Sequence, residues 1–325
     1  MSISKLTFFL IMITYTQAND LPDIKICPFL DGKVAALSLS FDDTSKDHLS
    51  VAAPFLDKYE LKGTFYAVVK WTEQAEQDQL GSSRYLDWDG LRQLVERGHE
   101  IGNHSMTHYQ LVKAKDQKEL EKEIIGPLVV FEEHLGFRPR TFCYPGNSRS
   151  EVIVELAESV HLGTTKGARH FYGGDDFDLE AHAAWLDQLI EKRESHNAMI
   201  HGIVPDGGGW KPFASQEVFE NVLQQMKERE DKIWFCRVVD LCAYQWAVQH
   251  GRLEISSEHD GFKIAVSYDE EKVPAEVAEG PLSLLLPASE YWQATQAGEP
   301  LNIHNSDSGV VLTFFPKKGP LLLHK

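Results

Sequence analysis

VAALSLSF, residues 34–41, ends on two adjacent carboxylates, Asp42 and Asp43. The run reads as a buried β-strand, and the acids close it. Six further runs read the same way, at 63–69, 99–104, 141–144, 161–165, 198–204 and 233–241. Between the runs lie stretches with helical spacing at 49–59, 89–97, 117–135, 150–160, 179–193 and 215–230. Strand and helix in strict alternation imply βαβ units and a parallel sheet, and seven or eight such units usually close into a barrel. The expected class is α/β, a (β/α)7-type barrel; a doubly wound open sheet is the competing architecture.

From about Gly251 the pattern changes to short alternating stretches, among them 262–268, 282–286 and 310–315, with no long helix between them. The expected organisation is an export signal over 1–18, a barrel over 19–250 and a small β-rich domain over 251–325. That last unit reads as a sandwich, a carbohydrate-binding module or a cap. A cap is preferred, because few aromatics stand out there beyond Tyr291 and Trp292.

With 325 residues, 42% of them apolar, the chain can bury a full core. Its formal charge is -17, and loss of the first eighteen residues, which hold Lys5 and no acid, removes one further positive charge. So acidic a chain argues against nucleic acid and anionic membrane as partners, since both require clustered Lys and Arg. At the N-terminus Lys5 precedes the apolar run 6–14, and Thr16, Gln17 and Ala18 give a small-residue ending. The run is shorter than the roughly 20 residues of a bilayer span. The expectation is a secreted or periplasmic protein with no integral membrane span once the signal is removed. Cys27, Cys143, Cys236 and Cys242 form no CxxC pair and allow three full pairings; free thiols are preferred to bridges.

Barrel enzymes carry their chemistry at the carboxyl ends of the strands. Asp42 and Asp43 follow the first run, His104 and His108 end or follow the third, the turn Tyr144, Pro145, Gly146, Asn147 ends the fourth, and His201 lies in the sixth. One carboxylate and two imidazoles suit a zinc-like ion, and a second carboxylate is left to accept a proton from water. Consecutive strand side chains point to opposite sides, so both acids serve one centre only if the chain bends between them. Histidines at i and i+4 fit one helical face.

These residues resemble the motifs of the polysaccharide deacetylase family, metal-dependent carbohydrate esterases of the family four type with a distorted (β/α) barrel. Ser40, Phe41, Asp42, Asp43 look like its Thr-Phe-Asp-Asp motif, and His104, Ser105, Met106, Thr107, His108 match its His-Ser/Thr-x-x-His motif. The resemblance covers about residues 30–245. It implies that Asp42 is the general base, that Asp43, His104 and His108 hold one divalent ion (zinc, with cobalt or another metal as alternatives), and that the Gly146 N–H stabilises the oxyanion. It further implies that His201, in a Leu-x-His-like context, protonates the leaving group. Tyr144, Asn147 and Trp210 are expected to contact substrate.

The chain departs from the family pattern at several points. Cys143 stands where an arginine that orients the catalytic aspartate is common, with Arg140 as a substitute three residues earlier; Thr44 replaces a common glycine; Asp175, Asp176 and Asp178 are a weak stand-in for an Asp-x-x-Asp-Trp motif. Gly207, Gly208, Gly209 and Trp210 read as a mobile loop whose indole can stack on a sugar ring. The expected activity is hydrolysis of N-acetyl or O-acetyl groups on an oligo- or polysaccharide. The alternatives are a non-catalytic glycan-binding protein on the same scaffold and a hydrolase of a small non-sugar amide.

Overall fold

Strand β2 (Ala35–Asp42) is buried along all eight residues, as a parallel strand covered on both faces must be. In the computed structural model, which describes residues 21–165, 169–269, 271–288 and 292–324, this strand is the hub of an all-parallel sheet. The expected signal at 1–18 and Tyr291 lie outside the described residues. A two-residue strand, β1 (Lys25–Ile26), precedes the sheet. The other members are β3 (Thr64–Ala67), β4 (Glu100–Asn103), β5 (Thr141–Phe142), β6 (Gly163–Thr164), β7 (Arg169–Tyr172), β8 (Ser195–Ile200) and β9 (Ile233–Cys236). Their order is β6-β5-β4-β3-β2-β8-β7. Strand β9 adds to β2 through Ala35–Ser38, while β3 takes β2 at Ser40–Asp42. The sheet curls into a distorted (β/α) barrel, with no ladder between β6 and β7 among the described residues.

Several helices outside the sheet start where a side chain accepts their first free N–H groups. Asp87 accepts from Gly90, Asp116 from Glu119, and Ser215 from Val218. Their apolar faces meet the sheet in one core that includes Leu37, Phe41, Phe65, Leu91, Leu186 and Phe219. The stretch 117–135 is two helices, Gln117–Ile124 and Gly126–Leu135, because Pro127 lacks the N–H that a continuous helix needs.

Three elements differ from the sequence reading. The run 233–241 stops being a strand at Cys236, and a helix runs over Val238–His250. The Asp240 carboxylate accepts there from the Arg237 N–H at 3.3 Å and from its guanidinium. Strand β7 and the helix Val69–Glu76 were not foreseen.

The C-terminal strands form two antiparallel sheets. In one, β12 (Leu282–Leu286), β16 (Gly309–Phe314) and β15 (Ile303–Ser306) line up behind β1. In the other, the order is β10 (Arg252–Glu258), β11 (Gly261–Ser267), β17 (Leu321–His324), β13 (Gln293–Gln296), β14 (Glu299–Leu301). Their shared core takes in Ala243, Tyr244 and Ala247 of the helix Val238–His250, and Ile24 next to β1. None of the four cysteines is in a disulfide. Among the described residues no helix is long and apolar enough to cross a membrane.

Candidate metal and catalytic site

The bend that the paired acids require is present. Asp42 is the last residue of β2, and Asp43 and Thr44 both take left-handed backbone conformations, with φ of 77° and 51°. The turn brings both carboxylates to one cleft. Thr44, where the family commonly has glycine, is a β-branched residue in that region, buried, with its hydroxyl lacking a partner.

His104 and His108 converge by a different route from the one expected. Residues 104–108 are not helical; Ser105 and His108 adopt φ of 72° and 61°, and the segment is a turn. Ser105 Oγ accepts from the His108 N–H at 2.9 Å, and Asn103 Oδ1 from the Ser105 N–H at 2.9 Å. The Glu123 carboxylate accepts from the N–H and the hydroxyl of Thr107. Trp71 stacks on the His108 ring at 4.8 Å, and Tyr85 covers the opposite side of the indole at 4.5 Å. Within β4, Gly102 leaves room for the Tyr66 ring, which would lie 2.3 Å from any added Cβ.

Asp43 Oδ1 lies 3.5 Å from Nε2 of His104 and 3.5 Å from Nε2 of His108. That oxygen is buried and has no hydrogen-bond partner. His104 Nδ1 donates to the Cys143 carbonyl at 2.9 Å, which fixes the tautomer that turns an Nε2 lone pair toward Asp43. Burial opposes a charged His104 ring, yet the Cys143 side chain and the Asp42 and Asp43 carboxylates outweigh it and push its pKa up to about 10. Burial and the neighbouring His104 charge push His108 down to about 4. Donor types, the orphan oxygen and the fixed tautomer all fit a cation held by Asp43, His104 and His108.

Asp42 is 2% exposed. The Cys143 thiol lies 3.4 Å from its Oδ2, and His201 Nε2 lies 4.0 Å from the same oxygen. Asp42, His201 and the Asp43, His104 and His108 side chains line a cleft of about 530 Å³ together with Tyr144, Gly146, Asn147, Arg149, Met199 and Trp210. Gly146, at φ 56°, and Asn147 are exposed at its rim. Trp210 is 55% exposed, with its ring edge-on to His201 at 5.1 Å.

One expected site residue falls elsewhere. Arg140 is ion-paired with Glu276, away from the cleft lining, and Cys143 is the side chain that meets Asp42. Tyr144 borders the cleft but is only 1% exposed and packs on Phe142, so it offers substrate little surface. Asp178 caps the helix Leu179–Lys192, and Asp175 and Asp176 line a neighbouring groove. The glycine segment expected to be mobile is closed on itself, with the Gly202 N–H donating to the Trp210 carbonyl at 3.0 Å. Arg149 and Trp71 carry no signal in the sequence, and Met199 figured there only as the first residue of the Leu-x-His-like run. Met199 reaches the site on β8, and Trp71 on the helix Val69–Glu76.

Residues 31–164 match the family profile described as polysaccharide deacetylase. A peptidoglycan-N-acetylglucosamine deacetylase of Bacillus cereus is 26% identical over 139 residues, 41% of this chain and 57% of that protein. A gellan lyase of a Bacillus species is 21% identical over 340 aligned residues, 91% of this chain and 13% of that protein. The chain thus spans less than two thirds of the length of the curated relatives it matches. A solved structure of a candidate polysaccharide deacetylase from Mycobacterium smegmatis superposes with a TM-score of 0.50 at 14% identity, covering 71% of this chain and 96% of that one. At that identity the likeness speaks for the fold.

Proposed function

Residues 31–164 belong to the polysaccharide deacetylase family, and from that premise we propose that the protein is an exported hydrolase removing N-acetyl or O-acetyl groups from a carbohydrate. The observation that carries the reading is the convergence on one cleft of the Asp43, His104, His108 triad with Asp42 and His201. A protein that only binds glycans needs none of these in register. A divalent cation, with zinc the first choice for one carboxylate and two imidazoles, would be held by Asp43, His104 and His108 and would supply Lewis-acid polarisation of an acyl oxygen and a lower pKa for water.

The chain's own residues do the rest. Asp42, sunk beneath the cleft and contacted by the Cys143 thiol, accepts the proton of the attacking water. The Gly146 N–H, at an exposed turn that admits a substrate carbonyl, stabilises the developing oxyanion. His201 gives a proton to the departing nitrogen or oxygen. Asn147 and the exposed face of Trp210 line the approach and suit a sugar ring. The residues expected over 1–18 would direct export, consistent with a glycan outside the cytoplasm as substrate.

The test is acetate release from acetylated chitooligosaccharide, peptidoglycan fragments and acetylxylan by zinc-loaded protein beside Asp42→Asn. Release that falls by about 10²–10⁴-fold in the variant, and is abolished by chelation, supports the reading. No release from any glycan, with one metal bound per chain, would overturn it in favour of a non-sugar amide or a binding role.

A further inference from the structure

The seven residues 42–48 carry more than the base and one metal ligand. Asp47 is 2% exposed, yet its carboxylate faces the chain that follows His201. Its Oδ2 accepts from the N–H groups of Ile203 at 2.6 Å and Val204 at 3.2 Å, and its Oδ1 accepts from Ser45 Oγ at 2.5 Å. One residue on, the fully buried His48 donates from Nε2 to the His201 carbonyl at 2.5 Å, with Ser45 Oγ a longer 3.4 Å from the same oxygen. The carbonyl of residue 201 and the amides of 203 and 204 are thus all held by side chains from one short segment.

The packing leaves no slack around this anchor. A Cβ on Gly207 would fall 2.2 Å from Asp47 Oδ2, and one on Gly209 would fall 2.3 Å from the Gly202 Cα. The chain after His201 is wrapped tightly on the carboxylate, and only glycine permits it. An ionised carboxylate is costly to bury unless its oxygens are hydrogen-bonded, and here three donors meet it.

We propose that Asp47, supported by Ser45 and His48, is the positioning residue of His201: it fixes the imidazole's place relative to Asp42, so that proton acceptor and proton donor are held by one rigid segment. The inference rests on the reading of His201 as the group that protonates the leaving atom. A misplacement of about 1 Å costs such a group about 10²-fold in rate. Protonation of the leaving atom belongs to the chemical step. The loss is therefore expected in kcat with KM little changed.

The experiment compares the full chain, zinc-loaded, with Asp47→Ala, His201→Ala and the double variant, using acetylated chitooligosaccharide and amide hydrogen exchange. The expected result is a loss of about 10²-fold in kcat for Asp47→Ala and a double variant no slower than His201→Ala, since residues acting through one group are not additive. Exchange protection at Ile203 and Val204 should be lost while the amides of β2 keep theirs. Additive losses, an unchanged kcat, or unchanged protection at Ile203 and Val204 would overturn the proposal.

If Asp47→Ala does not fold, His48→Ala beside His48→Gln makes the same comparison, because glutamine restores an N–H donor. Recovery of kcat by glutamine supports the anchor, and equal loss in both variants overturns it. A wild-type protein that releases no acetate while Asp47→Ala loses the two protected amides would remove the deacetylase reading, and with it the catalytic role of the anchor, but not the anchor itself.

Discussion

At the scale of single residues, function depends on backbone conformations that no glycine announces. Asp43, Ser105 and His108 all have positive φ, and each turns a ligand-bearing segment back toward the same point. The strand-terminal acids and the paired histidines were legible because chemistry at the end of an apolar run is conspicuous. The mode of convergence was not, since spacing of four suits a helix and the turn that replaces it is made by the Ser105 hydroxyl and the Asn103 and Glu123 side chains. Behind His108, the Trp71 stack fixes the ring's plane. Trp71→Ala should weaken zinc binding by about 10–100-fold, the usual cost of losing support for a ligand, as read by chelator competition. An unchanged affinity would show that the turn alone orients His108.

At the scale of elements, the least legible piece is the helix Val238–His250. Its first turn, with Val238 and Leu241, is buried against the barrel, and its later residues Ala243, Tyr244 and Ala247 enter the C-terminal core. A helix apolar on several sides has no periodic stripe to betray it, and its start merges with the β9 run. What places it is Glu100. This buried carboxylate accepts from Thr64 Oγ1 at 2.7 Å, Thr141 Oγ1 at 2.6 Å and the Val239 N–H at 3.0 Å, so it ties β3 and β5 to the helix N-terminus. Burial pushes its pKa up, against the lowering effect of those donors. Glu100→Ala would leave two hydroxyls and an amide without their acceptor and should destabilise the protein by about 3 kcal/mol or more in urea unfolding. A loss below about 1 kcal/mol, within the range of an ordinary surface change, would mean the helix is held by packing alone.

At the scale of the whole molecule, three buried histidines outside the cleft lining set the response to acid. Burial pushes His99, His161 and His182 each down to about 4. They are neutral when folded, whereas in the unfolded chain they take up protons near 6.5. Their contribution is fully present above that value and is lost as pH falls from 6.5 toward 4. With up to three protons in play, stability of the metal-loaded protein should fall by no more than about 4 kcal/mol per pH unit across that window. Urea midpoints that stay flat over it would show that these rings are protonated in the native state.

The alternation of strand and helix made the barrel legible at this scale, and the change of pattern near Gly251 made the β-rich end legible. The stitch between the two ends of the chain was not, because two residues of strand are too few to show a period. Lys25 pairs with Leu285 and Ile26 with Leu284, so β1 joins a sheet whose other members are made only after the whole barrel. During synthesis Ile24 and Ile26 must wait for partners that arrive last, and pairing across so long a loop is slow to form. A chain with its barrel already folded therefore still has β1 unpaired, open to proteases and chaperones, until Leu284 and Leu285 close over it.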